Sequence, residues 1–159
     1  GIITHATISN DNVKILLKTD IEYMDIGEKR LKIDKCLSEY QDNIQNILLL
    51  KVGVPHLLII MNTNMKGNID EYGEYINENV LDSHVNINFV NQENFNIRTY
   101  ERGVNSETLA CGTGCCAAMI GLNKNHVNFK VKSGETVTTS VEDGEIYLEG
   151  PVKKIYRVI

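Results

Sequence analysis

"TLACGTGCCAAMIGL", residues 108–122, decides the fold. From Gly112 to about Asn123 it carries no charged side chain. A helix that is apolar on every side must be buried on every side. Gly114, Ala117, Ala118 and Gly121 are small enough to let neighbours approach its backbone. The segment therefore predicts a central helix with the rest of the chain packed around it.

What surrounds that helix reads mostly as strand. "GIITHATIS" and "NVKILLKTD" alternate about the turn "NDN", as a hairpin does. "NIQNILLLKVG" and "HLLIIMN" are two buried strands joined through "VGVP", where Gly53 and Pro55 make the turn and His56 opens the second strand. "HVNINFVNQ" and "FNIRTYE" alternate about "NQEN". The end of the chain gives "VNFKVKS", "TVTTSVE", "EIYLEG" and "VKKIYRVI", separated by turn-forming "SGE", "EDGE" and "GP". One further helix is predicted over residues 68–79, with acids near its start and Ile69, Tyr72, Tyr75, Ile76 and Val80 at helical spacing. The fold class is α+β: an antiparallel or mixed, β-barrel-like sheet wrapped around a central buried helix, in a single domain over residues 1–159.

Bulk properties narrow the function classes. Apolar residues make up 42% and charged residues 23%, a globular composition. The net charge of -5 argues against nucleic acid or an anionic membrane as the main partner, since both reward a basic face. No apolar run approaches the ~20 residues that span a bilayer. The start of the chain lacks the pattern of a secretory signal, so the four cysteines are expected reduced, in a cytoplasmic protein.

The chemistry concentrates at Cys111-Gly112-Thr113-Gly114, at the mouth of the central helix. The first N–H groups of a helix lack internal partners, and glycines let a ligand reach them. Such a cradle suits a carboxylate or phosphate. The same helix end favours a thiolate at Cys111, which lowers a cysteine pKa. The alternative is a small buried cysteine before a packed helix. A metal site is disfavoured, because C-x3-C-C is not a zinc spacing. A P-loop is excluded by the missing Lys-Ser/Thr ending. Cys115 and Cys116 are expected to pack inside the helix, and Cys36 lies in a polar segment. Just upstream, Glu101 and Arg102 are either a solvated acid–base pair or a proton partner and an anion anchor. His56 gains weight only where the fold brings it near Cys111. Asn86 alternates with apolar neighbours and faces either a cavity or solvent.

With these residues collected, the sequence resembles diaminopimelate epimerase, in that family's second half. "ERGVNSETLACGTGCCAA" is similar to the signature around the family's second catalytic cysteine, "VGVPH" to its Gly-Asn-Pro-His turn, and "VNINFV" to its substrate-contacting Asn strand. The resemblance implies a cofactor-independent epimerase of lysine and peptidoglycan precursor synthesis, working without pyridoxal phosphate. Two cysteines flank the substrate Cα; one takes the α-proton and the other returns a proton to the opposite face, converting L,L- to meso-diaminopimelate. It further implies that Cys111 is one acid/base, that Glu101 tunes protonation and contacts substrate, and that His56 assists the opposing thiol. Asn86, Arg102, Gly112 and Thr113 would bind substrate. No cofactor and no metal are implied.

Two features depart from the family pattern. The Cys-Gly-Asn-Gly motif carrying the other thiol is absent, so this chain is expected to be the C-terminal half of a two-domain enzyme, inactive alone. Its last strand, about 152–159, would belong with the N-terminal domain and is left free to pair with another chain, which makes a homodimer a candidate assembly. Val54 stands where the family has a substrate-binding Asn. A racemase of the same fold acting on another amino acid, and a carboxylate-binding module without catalysis, remain open readings. A thiol hydrolase pairing Cys111 with His56 is a more distant one.

Overall fold

The computed structural model describes residues 2–153. Alternating sequence produces strands wherever turn residues bracket it. β1 (Ile2–Ser9) and β2 (Asn12–Lys18) form the expected hairpin, turned by Asn10 and Asp11 at φ 46° and 62°. Such a pair of left-handed residues matches the twist of the flanking strands. β3 (Ile21–Met24) leads to α1 (Lys29–Cys36), a 3-10 segment (Ser38–Asn43), and then β4 (Ile44–Val52) and β5 (Val54–Met61). Only Gly53 separates the last two, at φ 73°, a conformation that favours glycine. Its N–H donates to Thr19 Oγ1 at 2.9 Å.

α2 (Ile69–Asn79) follows, capped by Asn68, whose Oδ1 accepts from Asp70 N at 3.1 Å. β6 (Asn86–Asn91), β7 (Ile97–Glu101) and β8 (Ser106–Thr108) come next. The uncharged segment forms α3 (Gly112–Gly121), and β9 (His126–Lys130), β10 (Thr136–Glu142) and β11 (Glu145–Pro151) complete the described chain. The strand expected over about 152–159 lies outside the described residues from Lys154 onward.

The strands form two sheets, of order β1-β2-β11-β10-β9 and β3-β4-β5-β6-β7-β8. Neither closes among the described residues, so the barrel-like wrapping takes the form of two open sheets with α3 between them. Six successive α3 residues, Gly114 to Met119, are buried. They pack on Leu50, Leu58, Ile60 and Val90 from one sheet and on Val137 and Ile146 from the other. The opposite face of the six-stranded sheet is covered by α1 and α2, through Ile33, Ile69 and Ile76 against Leu57, Ile59, Ile87 and Phe89. β5 and β6 pair in parallel, as a connection through α2 requires, and the other pairings are antiparallel.

Gly73 sets the depth of α2. A Cβ there would stand 2.2 Å from Tyr100 Cγ, under the aromatic ring. Gly→Ala inside a helix ordinarily gains up to ~1 kcal/mol. Here the sign reverses, because α2 or Tyr100 must move within a packed core; Gly73→Ala costs about 1–3 kcal/mol. Urea titration checks this, and a stabilised variant would contradict the packing.

Candidate active site

Strand parity builds the site. Side chains alternate faces along a strand, and on β5 Leu58 and Ile60 point to α3 while Leu57, Ile59 and Met61 point to α1 and α2. His56 therefore lies on the α3 face. The parallel register sets His56 beside Asn86, and Asn88 two residues further along β6 pairs with Thr99 of β7. Glu101 follows Thr99 on the same face, and Thr108 of β8 pairs with Thr99. Six polar side chains thus line one face of the sheet where α3 begins.

Cys111 is the N-cap residue of α3, with extended backbone at φ -127° and ψ 106°, and is 8% exposed. Asn86 Nδ2 lies 3.9 Å from its sulfur and Thr113 Oγ1 lies 3.7 Å from it. Asn86 Oδ1 accepts from the Arg102 N–H at 3.0 Å, so one amide ties the thiol to the β7–β8 turn. Glu101 accepts from Thr108 Oγ1 at 2.7 Å, which aims its carboxylate from the adjoining strand. Arg102 is exposed, and its guanidinium has no ion pair among the described residues. Of the predicted site residues, Cys111, Asn86, Glu101, Thr113 and the Arg102 backbone are brought together at the helix mouth.

The helix mouth differs from its sequence reading in one respect. Cys111 is held as a thiol, its pKa pushed up to about 11, foremost by burial and then by the Glu101 charge. The N–H of Gly114 and the Thr113 hydroxyl favour the thiolate, but they are outweighed. Two helix donors cannot replace the solvation lost by a nearly buried sulfur with a carboxylate beside it. Glu101→Gln removes that opposing charge, so Cys111 should alkylate faster at about pH 8 with a small neutral reagent. An unchanged or slower rate would remove Glu101 from control of the thiol.

The two glycines also have a reason internal to the chain. A Cβ at Gly112 would stand 2.4 Å from Leu148 Cδ2. At Gly114 it would stand 2.4 Å from Asn88 Oδ1 and 3.3 Å from the Cys111 sulfur. The Cys115 N–H closes the first helical turn on Cys111 O at 3.0 Å, and that of Gly114 turns to the sulfur. The amides of Gly112 and Thr113 remain as helix-mouth donors with no acceptor among the described residues.

His56 is fully buried. Burial first, and Arg102 second, push its pKa down to about 4, so the ring is neutral at pH 7. Its Nδ1 lies 3.2 Å from Asn88 Nδ2, and its Nε2 has no partner among the described residues. Cys115 and Cys116 are fully buried within α3, as the sequence implies. Cys36 packs with the cluster on the far side of the six-stranded sheet. Among the described residues the other thiols lie within α3 itself or beyond the six-stranded sheet, and none stands across the helix mouth from Cys111. Asn88, Thr99 and Thr108 are additions that the sequence reading missed; Asn88 and Thr99 stand two residues from Asn86 and Glu101 along β6 and β7, whereas Thr108 reaches Glu101 only through the pairing of β7 with β8.

Both the sequence and the architecture are similar to those of known proteins. The family model for diaminopimelate epimerase matches residues 48–155. The diaminopimelate epimerase of Hydrogenobaculum sp. (strain Y04AAS1) is 34% identical over 165 residues, covering 86% of this chain and 57% of that protein. That of Chlorobaculum tepidum is 35% identical over 137 residues, covering 76% of this chain and 53% of that protein. A structure described as a predicted epimerase from Pseudomonas aeruginosa superposes with TM-score 0.65 at 14% identity, over 96% of this chain and 60% of that one. The chain belongs to the diaminopimelate epimerase family. It spans little more than half the length of the first two relatives. Among the described residues no helix is long and apolar enough to cross a membrane.

Proposed function

We propose that this chain is the C-terminal half of a cytoplasmic, cofactor-independent epimerase that interconverts L,L- and meso-diaminopimelate by two-base chemistry. The observation that carries the reading is Cys111, a buried thiol at a helix mouth with Glu101 beside it and Asn86 and Thr113 within reach of its sulfur. A two-base inversion needs one proton donor and one acceptor on opposite faces of Cα. Cys111 is the donor in the direction that starts from its thiol form. It passes its proton to Cα and becomes a thiolate, while the opposing base, from a preceding domain, takes the original α-proton. In the reverse direction the Cys111 thiolate is the base.

The free amides of Gly112 and Thr113 receive the substrate α-carboxylate, on which negative charge grows as the proton leaves. Arg102, with no ion pair among the described residues, anchors a distal carboxylate, and Asn86 binds substrate beside the sulfur. Glu101 holds the proton on Cys111 and contacts the substrate amine. His56 assists the opposing thiol. This half alone does not turn over.

Val54 favours a second reading, a racemase of this architecture with a different amino acid. It is half-buried at the start of β5, two residues from His56, and its side chain has no polar atom to offer a substrate. One experiment separates the two: deuterium wash-in at Cα from D2O, with the two-domain protein and a panel of amino acids. Exchange into diaminopimelate alone supports the first reading and exchange into another amino acid alone the second. No exchange into any of them overturns both.

A further inference from the structure

His56 Nε2 is a fully buried nitrogen with no partner among the described residues, and its ring is oriented by a residue given no role so far. Asn88 Nδ2 faces two groups at once, His56 Nδ1 at 3.2 Å and Leu57 O at 3.4 Å. Asn88 Oδ1 accepts from Thr99 Oγ1 at 2.9 Å. A carbonyl oxygen only accepts, so the amide end facing Leu57 must be the NH2. That NH2 donates to Nδ1 only where Nδ1 carries no proton. A neutral imidazole has one ring proton, which then sits on Nε2.

Asn88 is fully buried and Thr99 is 4% exposed, so water cannot easily substitute for either bond. The amide is also wedged against the helix mouth, since Gly114 lacks a Cβ where Asn88 Oδ1 lies. The sequence Thr99, Asn88, His56 is therefore a directed hydrogen-bond relay that runs from β7 through β6 to β5, beside Cys111.

We propose that Asn88 is a positioning residue that fixes His56 as the Nε2–H tautomer, so that the histidine enters the site as a hydrogen-bond donor and not as a base. A buried N–H without an acceptor is destabilising. The acceptor it awaits is an anion brought to the site, and under the function proposed above, on which this inference rests, that anion is the thiolate facing Cys111. A neutral donor stabilises that thiolate and takes no proton from it. The two thiols are then held in opposite states: Cys111 protonated by burial and Glu101, its counterpart kept ionised by the imidazole N–H. The α-proton moves to the thiolate, the Cys111 proton moves to Cα, and no proton is left over.

The test is 15N NMR of the two-domain protein labelled at histidine, with the His56 signals assigned by their loss in His56→Gln. In the unmutated protein Nδ1 should show the shift of a bare, hydrogen-bonded nitrogen and Nε2 that of a protonated one. In Asn88→Asp, nearly isosteric, the carboxylate accepts where the amide donated, so Nδ1 should become protonated. The same variant should lose roughly 10- to 100-fold in kcat, the scale of misoriented outer-shell partners, with KM changed far less. A protonated Nδ1 in the unmutated protein overturns the proposal, whatever the variants do. So does a bare Nδ1 in Asn88→Asp. The expected NMR change with kcat untouched would instead overturn the role given to His56 in the reaction, leaving its tautomer as assigned.

Discussion

Cys111→Ser removes inversion from the two-domain protein by at least about 10³-fold, within the range that a positioned acid–base group supplies. Serine keeps the volume and the helix-mouth position, but its hydroxyl is a far weaker acid than the thiol it replaces. Inversion is lost in both directions, because the group that delivers a proton in one direction removes it in the other. Exchange of the α-proton behaves differently. The epimer whose Cα–H faces the remaining thiol can still be deprotonated and reprotonated on that face. In D2O the variant should therefore label one epimer slowly, without inversion, and leave the other unlabelled. Cys116→Ala is the control, since Cys116 is fully buried within α3 and is given no part in the proton transfer; its turnover should stay within about threefold of wild type, while its stability falls through lost packing. Inversion by Cys111→Ser at more than about a tenth of the wild-type rate would remove this thiol from the reaction.

The parts of this architecture that are legible in the sequence are those where local pattern and tertiary environment agree. The α3 segment is uncharged because both of its faces meet sheets, and the hairpins announce themselves by alternation and by turn residues such as Asn10 and Asp11. α1 is not legible. It buries Ile33 alone, and Leu31 on the same helix is 67% exposed, so it carries almost no apolar periodicity. The position of Cys111 is readable from the glycines that follow it, but the state of its sulfur is not. That depends on how deeply the thiol is buried and on where Thr108 aims Glu101, and both arise from pairings between distant strands. Asn88 and Thr99 escape notice for a related reason. A polar residue at every second position of a strand usually marks the wet face. Here the face shared by Asn86, Asn88, Thr99 and Glu101 is the one that carries Leu58 and Val90 into the core a few residues on. Polarity placed on a core face is the trace that a site leaves in a strand, and it is visible only once the sheet register is known.

The protein should lose stability steeply between about pH 9 and pH 11. Three cysteines share one buried helix start. Burial raises the pKa of all three: Cys111 to about 11, Cys116 to about 12, and Cys115 well above its ordinary value. In the unfolded chain a thiol ionises near pH ~8.5–9. The folded state then holds protons that the unfolded state has released, so this contribution is complete below the unfolded pKa and disappears as pH climbs toward the folded values. Each thiol accounts for about 1.4 kcal/mol per pH unit inside that window. Acting together, the three remove about 4 kcal/mol per unit, against a total of about 5–15 kcal/mol for an ordinary domain. The window opens below the range where exposed tyrosines and lysines begin to titrate, near pH ~10, so the first unit of decline reports the thiols. Urea midpoints measured under reducing conditions at about pH 8, 9 and 10 show the trend. Cys116→Ala separates its origin: it lowers the midpoint at pH 8 through the cavity it leaves, yet flattens the alkaline slope, since one of the proton-holding thiols is gone. A midpoint that does not move between pH 8 and pH 10 would mean that these sulfurs are solvated in the folded protein. That result would also deprive Cys111 of the burial that keeps it a proton donor.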